Sequence, residues 1–310
     1  MSFHSIEDIR NGVQGANLRA VQLNTGTPRG SALHMFSNEI VFSAGTLDAD
    51  VHTWGTVDPK RVSFAVNLNN ESTIFSFRSG QEVLPGDIYS FGPGEEFANR
   101  SVGKLFYATL ALNADELIKL GSNDAVIGDL GCWEHRHWYR SSQEVRTLIC
   151  KSISGIASRL MRPGITMTPQ QIKLLQQELV ESILWGIAYD THKPIERHAY
   201  FNATIVRKVV EWMDDQPTGP IQISNICGAL HLSRRTLQRA FTETLGMGPA
   251  RYLMLKRLST VRSLLRTSDP NTTSVTNVAL ENGFWELGHF AVLYRRMFGE
   301  RPSQTLYKRY

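Results

Sequence analysis

Two stretches constrain this chain more than anything else in it: SRRTLQRAFTETLG at 233–246 and, about fifty residues later, GFWELGHFAVLYRRMFGERP at 283–302. Each follows a short apolar helix pattern and a sharp break, so each reads as the second half of a helix-turn-helix. A single unit of this kind is a weak signal, because any small helical hairpin can mimic it. Two in tandem, joined by a basic helix, suit a chain that lays two helices into neighbouring turns of a DNA groove.

The surrounding residues predict an all-helical unit. Asn202 is expected to cap a helix with the apolar face Ile205, Val206, Val209, Trp212 and Met213. Pro217, Gly219 and Pro220 end it. Ile223–Leu230 is then the first helix of a hairpin, Ser233 caps the second, and Gly246 is its terminal glycine. Pro249 opens a connecting helix that runs to about Leu265. Ser274 caps Val275–Glu281, Gly283 makes the turn, and a last helix reaches Phe298. The two helix-turn-helix units span 221–246 and 274–299.

Charge agrees with this reading. Residues 200–310 hold 15 Lys and Arg against 8 Asp and Glu, whereas residues 1–199 hold 18 against 21. The C-terminal third therefore suits a polyanion, although a solvated basic face would have the same composition. In the first unit Leu237 and Phe241 share one face. The opposite face carries Arg234, Arg235, Gln238 and Arg239. Arginine matches the O6/N7 edge of guanine with two parallel hydrogen bonds, and glutamine the N6/N7 edge of adenine. Arg235, Gln238 and Arg239 are the expected base readers. Ser233 and Arg234, at the helix N-terminus, are expected near phosphate. In the second unit Phe290, Tyr294 and Phe298 form the ridge, and Trp285, Glu286, Leu287, Gly288, His289 and Val292 form the N-terminal surface. That surface is poor in bidentate readers. His289, Arg295 and Arg296 are expected to anchor to the backbone, which positions without specifying; Arg301 shares their spacing. Lys256 on the connecting helix is expected at a phosphate. Arg257 has two readings, phosphate contact or a link inside the domain, the second favoured.

The first third has a different period. From about Ala32 to Leu112, segments such as EIVFSAG, RVSFAVNL, STIFSFRS and LFYATLAL alternate with Gly- and Asn-containing breaks. Short strands at this spacing suggest an antiparallel barrel or sandwich. VLPGDIYSFGPGEEF resembles the strand–turn–strand of cupin-like sensor domains. From Ser141 two helical stripes follow, Val145, Leu148, Ile149, Ile153, Ile156 and Leu160, then Ile172, Leu175, Leu179 and Ile183 after Thr168-Pro169. These helices pack on the barrel, the simpler reading, or pair with a second subunit as a homodimer. The expected fold class is α+β: a cupin-like antiparallel β-barrel sensor with two helices over 1–190, a linker over 191–200, and an all-α tandem helix-turn-helix domain over 201–310. His34, Phe36, His52, Trp54, Arg61, Tyr89 and Phe91, with Phe64, lie on or beside predicted strands and are the candidate effector contacts. Core filling is the competing role for the aromatics.

Several function classes drop out. No Ser-His-Asp motif, P-loop or G-x-G-x-x-G occurs. His34 and His52 each lack a neighbouring ligand at metal spacing, and His135-x-His137 falls outside the barrel pattern, so neither a metal nor a cofactor is expected and a cupin-type enzyme is only a remote alternative. Cys132, Cys150 and Cys227 fit neither a disulfide framework nor a zinc spacing. No apolar run approaches ~18 residues, and MSFHSIEDIRNG lacks the apolar core of a signal peptide. A cytoplasmic protein without membrane contact is expected. A purely structural nucleoid protein would have little use for the aromatic-bearing β domain.

LSRRTLQRAFTETLGMGPARYLMLKRLSTVRSLL and VTNVALENGFWELGHFAVLYRRMFGERPSQTL resemble the tandem helix-turn-helix domain of AraC/XylS-type transcription regulators over about residues 204–307. More narrowly, C-x-x-L-H-L-S-R-R-T-L-Q and G-F-W-x-L-G-x-F-A-x-x-Y resemble the ethanolamine-operon regulator branch. The resemblance implies a bacterial regulator, usually an activator, with three partners: a double-stranded DNA operator, a small-molecule effector and RNA polymerase. The narrower branch implies ethanolamine with a corrinoid partner. Arg235, Gln238 and Arg239 match the family's base-contacting positions, as do Leu287, Gly288 and Val292 in the second unit. Val292, where arginine often stands, and Glu286, in place of a small cap, depart from the pattern. An effector-independent regulator, whose β domain serves only dimerisation or polymerase contact, is the alternative.

Overall fold

Residues 2–3, 5–9, 12–37, 39–69, 74–76, 82–113, 115–117, 133, 137–161, 168–190, 197–216 and 221–308 are described by a computed structural model. Most of the linker stretch and His135 lie outside them. The β-rich part comprises β1 (Ser2–Phe3), α1 (Ile6–Ile9), β2 (Ala16–Gln22), β3 (Arg29–Phe36), β4 (Ile40–Asp48), β5 (Val51–Val57), β6 (Arg61–Asn67), β7 (Ile74–Ser76), β8 (Glu82–Val83), β9 (Ile88–Phe91), β10 (Glu96–Ser101), β11 (Lys104–Asn113) and β12 (His137–Tyr139). The strands form two antiparallel sheets, ordered β1-β3-β4-β11-β6-β9-β12 and β2-β5-β10-β7-β8. This corrects the expected barrel: among the described residues no closed barrel forms. Closure needs an unbroken ring of strand pairing. Here the larger sheet ends in β1 and β12 and the smaller one in β2 and β8, and among the described residues none of these ends pairs with another.

Side chains alternate between the faces of a strand. On the seven-stranded sheet one face presents Phe42, Phe64, Val66, Ile88 and Leu110 to two helices, α2 (Gln143–Leu160) and α3 (Pro169–Ala188). Ile149, Ile153 and Ile156 of α2 and Leu179 and Ile183 of α3 fill that layer. Ser142 caps α2, and Thr168 with Gln171 closes a capping box on α3. Leu148, in the predicted stripe, is 51% exposed; the neighbouring Ile149 takes the inward position.

The C-terminal helices are α4 (Arg197–Asp215), α5 (Ile223–Ala229), α6 (Arg234–Leu245), α7 (Pro249–Thr267), α8 (Val275–Glu281), α9 (Leu287–Phe298) and α10 (Pro302–Tyr307). Because α4 begins at Arg197, Asn202 lies inside the helix rather than at its cap. It is buried, and its amide donates to Glu243 of α6. Leu237 and Phe241 of α6 and Phe290, Tyr294 and Phe298 of α9 join one core with Val206, Val209, Tyr252 and Leu258. Both α6 and α9 end on a left-handed glycine, Gly246 at φ 66° and Gly299 at φ 76°, a conformation that penalises any Cβ.

The outer face of the five-stranded sheet belongs to this second core. Val21, Leu23, Trp54 and Ala98 join the apolar cluster of the helical unit. The molecule is thus layered: two helices, the larger sheet, the smaller sheet, then the C-terminal helices.

Candidate nucleic-acid interface

Helix α6 starts where Ser233 Oγ accepts the Thr236 amide hydrogen at 3.0 Å. This fixes the first turn and leaves the N-terminal half in solvent. Arg234, Arg235, Gln238 and Arg239 are all exposed there, while Leu237, Ala240 and Phe241 are buried behind them. Gln238 Nε2 lies 3.2 Å from Thr242 Oγ1, so this amide is held along the helix rather than splayed.

Helix α9 is built alike and surfaced differently. Its cap position is Glu286, which makes no side-chain cap bond. Trp285 is 68% exposed, Val292 65% and Leu287 37%. Gly288 and His289 are exposed between them. Arg295 and Arg296 are exposed in the last turn. Cationic groups therefore crowd the start of α6 and the end of α9.

The connecting helix α7 faces inward. Lys256, expected against a phosphate, instead pairs with Asp214 at the end of α4 and lies 5.2 Å over the Trp54 ring. Arg257 donates to the Ile221 carbonyl, tying α7 to the segment before α5. Asp214 is the hub of the contact with the β domain, receiving Trp54 Nε1 at 2.9 Å and Arg19 at 2.8 Å as well as Lys256. Burial would push its carboxyl up, but these donors together hold it below the ordinary range. Beside it His52 Nδ1 shares a 2.7 Å hydrogen bond with Tyr252 Oη. Burial drives His52 down to about 3, aided by Lys256 and opposed by Asp214, so the ring is neutral. Arg207 pairs with Glu96, and Arg266 with Glu7 at 2.8 Å, on either side. No sequence pattern singled out Asp214 or Arg19, and Tyr252 stood only within the run that resembles the regulator family; each gains its role from the docking.

Trp54 and His52 therefore sit on the side of β5 that grips the helices, not at the mouth of a pocket. The opposite side of the same strand, Val51, Thr53 and Val57, lines a cavity of about 170 Å³ between the two sheets. Phe97, Asn99 and Ser101 of β10 line it too, while the intervening Ala98 and Arg100 face the helical unit. From the larger sheet come Ala65, Tyr89, Phe91, Tyr107 and Thr109. Tyr107 donates to the Gly12 carbonyl at 2.7 Å, drawing the segment before β2 over the cavity. Of the candidate effector residues, Phe64, Tyr89 and Phe91 line this space. His34 is instead hydrogen-bonded to Ser43 at 3.0 Å. Phe36 is 61% exposed, and Arg61 pairs with Asp58 at 3.1 Å. Among the described residues no group of three His, Cys, Asp or Glu side chains could hold a metal ion, and no helix is long and apolar enough to cross a membrane.

Residues 226–308 match a family model described as a helix-turn-helix domain. The chain is 33% identical over 99 residues to the XylDLEGF operon transcriptional activator of Pseudomonas putida, a stretch covering 32% of this chain and 31% of that protein. It is 33% identical over 155 residues to the probable thc operon regulatory protein of Rhodococcus erythropolis, covering 50% and 47%. A solved structure of a probable AraC family transcriptional regulator from Rhodopseudomonas palustris is 40% identical, with 33% of this chain and 94% of that one covered at a TM-score of 0.30. The chain thus spans about a third to a half of the length of these curated relatives. They are named as regulators, not enzymes. Residues 226–308 of this chain thus form a helix-turn-helix domain, and the C-terminal third is similar in sequence to these transcription regulators.

Proposed function

We propose that the protein is a sequence-specific transcription regulator, an activator acting with RNA polymerase at a double-stranded operator. Residues 201–310 bind the DNA, 191–200 connect, and 1–190 sense an effector in the cavity between the sheets. The observation that carries the DNA reading is the reading face of α6. Four side chains able to contact bases or phosphates stand in solvent on a helix whose other side is fixed by Leu237, Ala240 and Phe241. A helix held rigidly on one side and armed on the other can enter a major groove without rearranging. Strands β5 and β10 support the sensing half of the reading. Each lines the cavity with one set of side chains and holds the helical unit with the alternate set, so a shift on one face is felt on the other.

The test is to sequence the DNA fragments that the purified chain retains from its own genome. A short set of enriched sites, each with one strongly preferred segment and a weakly preferred one about one helical turn away, is expected. Uniform recovery of the genome would reject sequence-specific binding.

A further inference from the structure

We infer that the cavity between the sheets takes an uncharged, largely apolar molecule of about eight to ten non-hydrogen atoms carrying one hydrogen-bonding group. A dry apolar cavity of ~150 Å³ accommodates benzene, and the space here is about 170 Å³, enough for a ring with a short polar substituent. Its walls are Leu18, Phe91 and Phe97 with Ala65. Polarity comes from hydroxyl and amide groups: Thr53 and Asn99 are direct cross-strand neighbours on β5 and β10, and both line the space. Those groups offer a ligand hydroxyl or carbonyl one anchoring point. Among the described residues that line the cavity none is charged, and a buried ion without a partner carries a penalty far above that of a neutral polar group. Ethanolamine, a cation at neutral pH, finds no carboxylate there.

This inference deepens the effector half of the proposed function and rests on it. Its ligand would press on Val51, Thr53 and Asn99, whose strand neighbours His52, Trp54 and Arg100 meet the helical unit.

Benzyl alcohol, benzoate and benzylamine share a skeleton and differ in charge, so calorimetric titration of the full chain with each isolates the point. Benzyl alcohol should bind at least about tenfold more tightly than either ion. Ala65 faces the cavity between Tyr89 and Thr109 on the adjacent strands. Ala65→Phe fills the space and should weaken the alcohol at least tenfold while the circular dichroism of the full chain is kept; Ala65→Leu is the milder version if Ala65→Phe fails to fold. Binding of either ion as tight as that of the alcohol, alcohol binding indifferent to the filling variants, or no binding by any of the three would each overturn the inference. A chain that binds the alcohol but retains no DNA sequence selectively would instead break the DNA reading and leave the cavity assignment standing.

Discussion

The second helices of the two helix-turn-helix units, α6 and α9, share a scaffold and differ in surface. Helices α6 and α9 have twelve residues each, end on a left-handed glycine, and bury an apolar ridge in the same core, Leu237 and Phe241 on α6 and Phe290, Tyr294 and Phe298 on α9. Both turn their C-terminal ends toward the β domain. Arg100 lies against Gly246, and the Gly26 amide donates to the Met297 carbonyl at 2.9 Å. Yet α6 exposes Arg234, Arg235, Gln238 and Arg239 at its start, whereas α9 exposes Trp285, Leu287 and Val292 there and keeps its arginines for the last turn. Burial sets where a helix sits; the exposed residues of its first turns decide what it can read. A duplicated scaffold can therefore divide the labour, one helix reading and the other holding.

The scaffold half of this comparison predicts the largest effects. Phe241→Ala and Phe290→Ala each remove a fully packed ring, and each should cost about 3–5 kcal/mol of stability, measured by denaturant unfolding. A large cost for one and a small one for the other would show that the two units are not equally built.

The docking to the β domain touches both helices, so loosening it should not distinguish them. His52 faces Lys256, Asp214, Tyr252 and Trp54. In the docked molecule its pKa is about 3 against an ordinary 6.5, so docking is undiminished above about 6.5. As pH falls below that, an undocked His52 gains a proton that the docked one refuses. Docking should weaken by ~1.4 kcal/mol per pH unit toward pH 3. Small-angle scattering should show the molecule expanding on acidification while its circular dichroism is kept, and His52→Gln should flatten that response. An unchanged expansion in the variant would assign it to other groups.

The smallest effect concerns α9 itself. Exposed apolar side chains pack on the C5-methyl group of thymine rather than hydrogen-bonding a base edge. Replacing thymine by deoxyuridine in the segment under α9 deletes that methyl and should cost about 0.8 kcal/mol for each methyl that α9 covers, an increment absent from Val292→Ala. The same replacement under α6 should matter less. Equal sensitivity in both segments would erase this part of the distinction.

The sequence showed some of this and hid the rest for physical reasons. Helix ends were legible because capping is local: Ser233, Gly246, Pro249 and Ser274 mark the observed boundaries. The apolar ridges were legible through their fourfold spacing. Asn202 misled because a good capping residue also serves as a buried amide when a partner such as Glu243 comes from another helix. The docking of the domains was not legible, because Trp54 and Lys256 are about two hundred positions apart and nothing local in either announces the other. The closed barrel failed for a related reason: strand spacing reports that strands exist, but which edges meet is set by long-range pairing.

The central claim is that α6 reads base edges through hydrogen bonds while α9 mainly anchors, adding only small thymine-methyl contacts, and base-by-base binding selection on two variants tests it most directly. Arg235→Ala should relax preference at one base pair and cost about 1–3 kcal/mol at the specific site. Arg295→Ala should weaken all sequences alike and lower the salt dependence by about one phosphate's worth. Equal loss of discrimination in the two variants would contradict the account.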